Sequence, residues 1–140
     1  MLNYDLLHPE VLEALASAGH GSKVLIADGH YPFDIGRHPG ARVIFLNFAP
    51  NLLSVEQVLR GLRTAVNFEA AALMVPSDGS PVAAHADYRA ELGPSVSFHE
   101  ADRFEFYELA RSPDVGIVIA TGELRVYANI LLTIGLRTTG

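Results

Sequence analysis

The sequence predicts an α/β protein: a three-layer α/β/α sandwich on one mixed, largely parallel sheet of about six strands. Three observations point there. Short runs rich in Val, Ile and Leu alternate almost strictly with segments of helical periodicity. Turn-rich stretches such as GHYPFDIGRHPGA separate them. The length of 140 residues suits one domain, 1–140, because single domains most often run to roughly 100–150 residues.

Each element has a local reason. Pro9 opens a segment in which Val11, Leu12, Leu15 and Ala16 recur at helical spacing, and Gly19 follows where a helix end favours a residue tolerant of positive φ, so a helix spans about Pro9 to Ala18. Lys23 to Asp28 (KVLIAD) is an apolar run ending in an acid and reads as a buried strand feeding a long loop. Arg42 to Leu46 is a second strand. Ser54 with Gln57 forms a capping-box pattern, and Val55, Val58, Leu59 and Leu62 lie on one face of a helix reaching about Thr64. Ala70 to Val75 makes a third strand, closed by Pro76. Ser80 and Pro81 are placed at the N-cap and first position of a helix to about Leu92, stopped by Gly93 and Pro94. Val96 to His99 is a short strand. Asp102, with Glu105 three residues on, caps a helix from Arg103 to Arg111 whose apolar side is assigned to Phe104, Tyr107, Leu109 and Ala110. Val115 to Ala120 (VGIVIA) carries the strongest strand pattern, and a TGE turn leads into the apolar segment Tyr127 to Ile134.

Composition narrows the function. Hydrophobic residues make up 49% and charged residues 19%, with a mean hydropathy of +0.22, enough apolar material for a packed core. Ten Lys plus Arg against sixteen Asp plus Glu leave a formal charge of −6 and no basic run, which argues against nucleic acid as a partner. Zero cysteines exclude disulfides, a thiolate nucleophile and a Cys-ligated zinc, and fit a reducing cytoplasm. The amino terminus does not read as a signal peptide, and no apolar run approaches the ~20 residues that cross a bilayer, so no membrane association is expected. An apolar excess in so small a chain suggests that copies of the chain cover part of its surface.

In open sheets of this class ligands sit beyond strand ends, so the polar residues of the loops are the candidates. Six histidines are present, and no HxxxH or HxH pair places two imidazoles on one face, so no metal site is read. His20 stands apart within Gly19-His20-Gly21, between a helix and a buried strand, an accessible position for proton transfer near neutral pH. Asp28 ends that strand and is either a loop cap or a site carboxylate. Arg103 and Glu105 open a helix, where capping and a solvated face are the plain reading. Tyr127 and Asn129 would share a face if their segment is extended, offering a hydroxyl and an amide to one ligand; the other reading is a core Tyr and a turn Asn. GxSxG, Walker and GxGxxG patterns are missing.

The segments HPEVLEALASAGHGSKVLIADGHYP, DRFEFYELAR and GIVIATGELRVYANILLTIGL together resemble the ribose pyranase and fucose mutarotase family over nearly the whole length. The most specific pieces are the GH before the strand ending in Asp28 and the TGE…YxN arrangement of Thr121, Gly122, Glu123, Tyr127 and Asn129. The resemblance implies a cofactor-free isomerase acting on a free monosaccharide, assembled as a ring homo-oligomer, often a decamer. By position it makes His20 the proton donor and Asp28, Arg103, Tyr127 and Asn129 sugar-binding residues, with His30, Glu123 and Tyr107 as further candidates. It also favours fucose over ribose: His30 in DGHYP, Arg103, and the aromatics Phe104, Phe106 and Tyr107 lean toward the fucose branch, with the aromatics placed to meet a 6-methyl group. The LRV after TGE and the segment GRHPGARVIFLNFAP depart from the family pattern and bear on specificity.

A non-catalytic sugar-binding protein accessory to transport, or a ring-forming protein with no ligand, would keep the same fold. His20 precedes the first strand and Asp28 ends it, so an extended strand at roughly 3.3 Å per residue holds them more than ~15 Å apart. A single pocket then needs a loop folded back or a neighbouring chain, and the second is expected.

Overall fold

A computed structural model describes residues 1–139. The elements are α1 (Pro9–Ala18), β1 (Lys23–Ala27), β2 (Arg42–Phe45), α2 (Val55–Leu62), β3 (Phe68–Met74), α3 (Ala83–Leu92), β4 (Ser97–Ala101), α4 (Arg103–Ala110), β5 (Val115–Ala120) and β6 (Ile130–Ile134). The six strands form one sheet in the order β2-β5-β1-β6-β3-β4. β6 runs antiparallel to both neighbours, β1 and β3, and the other pairings are parallel. The mixed, largely parallel sheet is therefore as expected.

The apolar strand centres explain the layering. Val24, Leu25, Ile26 and Ala27 of β1 are fully buried, as a strand covered on both faces requires. On one face Val24 and Ile26 pack with Val11 and Leu15 of α1, Val58 and Leu59 of α2, and Tyr88 and Leu92 of α3. On the other, Leu25 and Ala27 pack with Phe106 and Ala110 of α4 and with Tyr31 from the loop after β1. Among the described residues no helix is long and apolar enough to cross a membrane.

Most ends follow their local chemistry. Ser54 Oγ accepts from the Gln57 amide and Gln57 Oε1 accepts from the Ser54 amide, a complete capping box. Asp102 accepts from the Glu105 amide at 2.9 Å and caps α4. Gly19 adopts φ 104 after α1.

Three local expectations are corrected. Ser80 and Pro81 do not start α3: the Ser80 amide donates to Asp78 Oδ1 in a local turn, and the helix begins at Ala83 behind Val82, which gives no side-chain cap. The buried residues of α4 are Phe106 and Ala110, four apart, with Tyr107 and Leu109 packed against the same cluster; of the assigned apolar side Phe104 alone misses the core, at 74% exposed, and Phe106 takes its place. Tyr127 is not extended but left-handed, with φ 57, and β6 starts only at Ile130.

Candidate functional site

The parallel strands β1, β3, β4 and β5 end on one edge of the sheet, and a cleft of about 240 Å³ opens beyond that edge. Asp28, His30 and Tyr31 come from the end of β1, Met74 from the end of β3, Arg103 and Tyr107 from the first turns of α4, and Val126, Tyr127 and Asn129 from the turn before β6. The volume lies below the roughly 300–1,000 Å³ of sites for drug-sized ligands, leaving room for one small polar molecule. The sequence candidates Asp28, Arg103, Tyr127 and Asn129 are brought together here, with His30 and Tyr107 beside them.

Backbone contacts fix these side chains. The Asp28 amide donates to Asn129 Oδ1 at 2.7 Å, which locks the Asn129 amide and leaves its Nδ2 as the free donor. The His30 amide donates to Asp28 Oδ1 at 2.9 Å, and His30 Nε2 donates to the Leu124 carbonyl at 2.9 Å. Burial raises the Asp28 carboxyl above its ordinary pKa, against the pull of the His30 and Ala128 amides and the His30 charge. The Arg103 guanidinium lies 5.6 Å from the Tyr107 ring and 5.9 Å from the Phe104 ring. Of the three aromatics expected to face a methyl group, Tyr107 alone lines the cleft: Phe106 is in the core and Phe104 faces outward.

The TGE segment is the frame of the site. Thr121 Oγ1 donates to the Ala27 carbonyl at 2.7 Å, and the Gly29 amide donates to the Glu123 carbonyl at 2.7 Å, tying the end of β1 to the turn after β5. A Cβ on Gly122 would collide with the Ala49 carbonyl oxygen. Glu123 is buried outside the cleft lining and accepts from the Arg125 guanidinium at 2.9 and 3.3 Å. Burial pushes its carboxyl up, and the hydrogen bonds and charge of Arg125 outweigh that and hold it low.

His20 is elsewhere. It lies at the opposite end of β1, in an open cleft of about 720 Å³ with Lys23, Arg42 and Asp114, and this cleft shares no residue with the first. His20 Nε2 stands 3.1 Å from Glu69 Oε2, both side chains half exposed. Glu69 sits at the register shift between Phe68 and Ala70. The sequence reading began β3 at Ala70 and so passed over Glu69. Its signal was a lone acid within an apolar strand. Tyr31 and Met74 were also missed, because Tyr31 lies in the turn-rich stretch after the first strand and Met74 inside an apolar strand. Among the described residues no group of three or more His, Asp or Glu converges as metal ligands would.

The profile of the RbsD / FucU transport protein family matches residues 1–137. Human fucose mutarotase is 35% identical over 139 residues, covering 93% of this chain and 89% of that protein. The structure of Bacillus subtilis RbsD complexed with D-ribose superposes with a TM-score of 0.85 at 25% identity, covering 99% of this chain and 100% of that one. The fucose mutarotase of Streptococcus pneumoniae in complex with L-fucose superposes at 0.82 with 20% identity, covering 99% and 100%, a likeness of fold. A match spanning almost the whole chain, on an α/β fold shared with solved relatives, establishes that this protein belongs to the RbsD/FucU family.

Proposed function

We propose that this protein is a monosaccharide mutarotase that interconverts ring forms of a free sugar, L-fucose before D-ribose. The observation that carries the reading is the convergence of Asp28, Arg103, Tyr127 and Asn129 on one small cleft at the strand edge of a chain related to fucose mutarotases. Those groups suit a sugar: a carboxylate accepts from hydroxyls, a guanidinium and an amide donate to them, and a phenol does both. Anomers exchange when an acid protonates the ring oxygen and a base takes the proton of the anomeric hydroxyl. The bond between the ring oxygen and the anomeric carbon breaks, a carbonyl forms, and closure on the other face restores the ring. His20 is the donor in this reading. Its separation from the cleft is supplied by assembly: His20 of one copy serves the cleft of the next, in a ring of copies such as a decamer. The working compartment is the cytoplasm, which a chain without cysteine fits.

Saturation-transfer NMR on L-fucose and D-ribose tests the reading directly, because it reports anomer exchange without a coupled reaction. Exchange of L-fucose faster than D-ribose by roughly tenfold is expected, the scale of one buried methyl group against Tyr107. Arg103 adds donors in a fixed fork for vicinal hydroxyls. Sugar binding without exchange would make the protein a carrier, and faster ribose conversion would reverse the substrate order.

A further inference from the structure

A buried histidine behind the cleft remains without a role in the chemistry above. His85, on α3, is 7% exposed, and its Nε2 lies 2.8 Å from the carbonyl oxygen of Tyr127. One helical turn on, the fully buried Tyr88 donates from its hydroxyl to the carbonyl of Ala128 at 2.8 Å. Two successive carbonyls of the turn before β6 are thus held from one helix face, and the third residue, Asn129, is held by the Asp28 amide. Tyr127 needs such a hold. Its φ of 57 is a left-handed conformation that a side chain larger than glycine disfavours, and it persists only where the surroundings impose it.

We propose that His85 is a positioning residue for the sugar cleft, a neutral donor that clamps the Tyr127 carbonyl and so aims the Tyr127 ring at the ligand. The inference rests on the proposed use of Tyr127 in sugar handling. A carbonyl partner accepts only, so the imidazole carries its proton on Nε2. Burial lowers the His85 pKa and Arg89 pushes the same way, against the Tyr127 carbonyl and Glu100, which keeps the ring neutral near pH 7. The hydroxyl of Tyr88 supports the clamp but cannot replace it, because its bond goes to the next residue.

The test combines a direct spectroscopic readout with kinetics. Imidazole 15N shifts of His85 in the wild-type protein at pH 7 should report a neutral ring protonated at Nε2; a charged ring or the Nδ1 tautomer overturns the clamp. His85→Leu should move the Tyr127 amide and Hα shifts out of the left-handed range and lower kcat/KM for L-fucose by about tenfold, the scale of a small misplacement. His85→Gln, which carries an amide donor at similar reach, should recover most of that loss, a rescue that a merely space-filling role would not give. In a Tyr127→Phe background His85→Leu should add nothing, and losses that multiply overturn the proposal. Should His85→Leu fail to fold, the tautomer and the Gln variant decide. Should the wild-type protein exchange no sugar, the proposed function fails alone, and the shifts of His85 and Tyr127 still decide the clamp.

Discussion

The Asp28 carboxyl is taken out of water by Tyr31, Asn129 and the turn before β6, and burial holds its pKa above the ordinary 3.8. Folding therefore favours the protonated form. Above the raised pKa the native state bears the full cost of the charge, and that cost falls away as pH drops through it. Asp28→Asn should keep the bond from the His30 amide, melt at an equal or higher temperature at pH 7, and lose this advantage toward pH 4. L-fucose exchange should fall about tenfold or more with the charged acceptor gone. A lower Tm for the Asn variant at pH 7 would show that the carboxylate is stabilising where it stands. His20 is the opposite case: an exposed ring with one bond, to Glu69, and no packing to lose. His20→Gln should leave Tm within 1 °C or so of wild type, on the scale of surface changes, and lower exchange by on the order of 10². Undiminished exchange would move the donor role to His30, the imidazole that does line the cleft.

At the scale of elements, the turn after β5 joins β1, the loop before α2 and the approach to β6. The Gly122 amide donates to the Leu53 carbonyl, the Asn51 amide donates to the Gly122 carbonyl, and no room is left for a Cβ against Ala49. Gly122→Ala should destabilise by roughly 1–3 kcal/mol, the usual range for overpacking, and reduce sugar exchange with it through Thr121 and Asp28. A variant with unchanged thermal unfolding would show that the 47–53 loop yields freely. This turn also shows where the sequence was readable. VGIVIA, KVLIAD, the capping box at Ser54 and the Asp102 N-cap predict their elements within a residue or two, because period and capping are local properties. Ser80 misled because Asp78 competed for its amide, and Phe104 stood where Phe106 belongs because the two are chemically alike and only tertiary packing chooses between them. Six of the cleft residues, Asp28, His30, Arg103, Tyr107, Tyr127 and Asn129, were legible through family likeness. Glu69 and His85 were not, because their partners lie 49 and 42 positions away in sequence.

At the scale of the whole molecule, His20, the proposed donor, and the cleft proposed to hold the sugar stand at opposite ends of β1. No loop folds back to join them: His20 is tied to Glu69 on its own edge of the sheet. Apolar side chains are meanwhile exposed beside the Asp28 cleft, with Val126 at 62% and Phe104 at 74%, as expected of a face covered by another copy. A site shared between copies makes a definite prediction. His20→Ala keeps the cleft and lacks the donor, while Asp28→Ala keeps the donor and lacks the cleft anchor. Each alone should be nearly inactive. Unfolded together in equal amounts and refolded, they should assemble at random, and about one site in four then joins an intact cleft to an intact His20 from its neighbour. Exchange should recover to roughly a quarter of the wild-type rate per chain, while a mixture of separately assembled variants stays at the parental level. Light scattering on the same samples should give an oligomer. If co-refolded chains remain as inactive as their parents, or if a monomer catalyses exchange, then each chain works alone and the proton must come from a group within its own cleft.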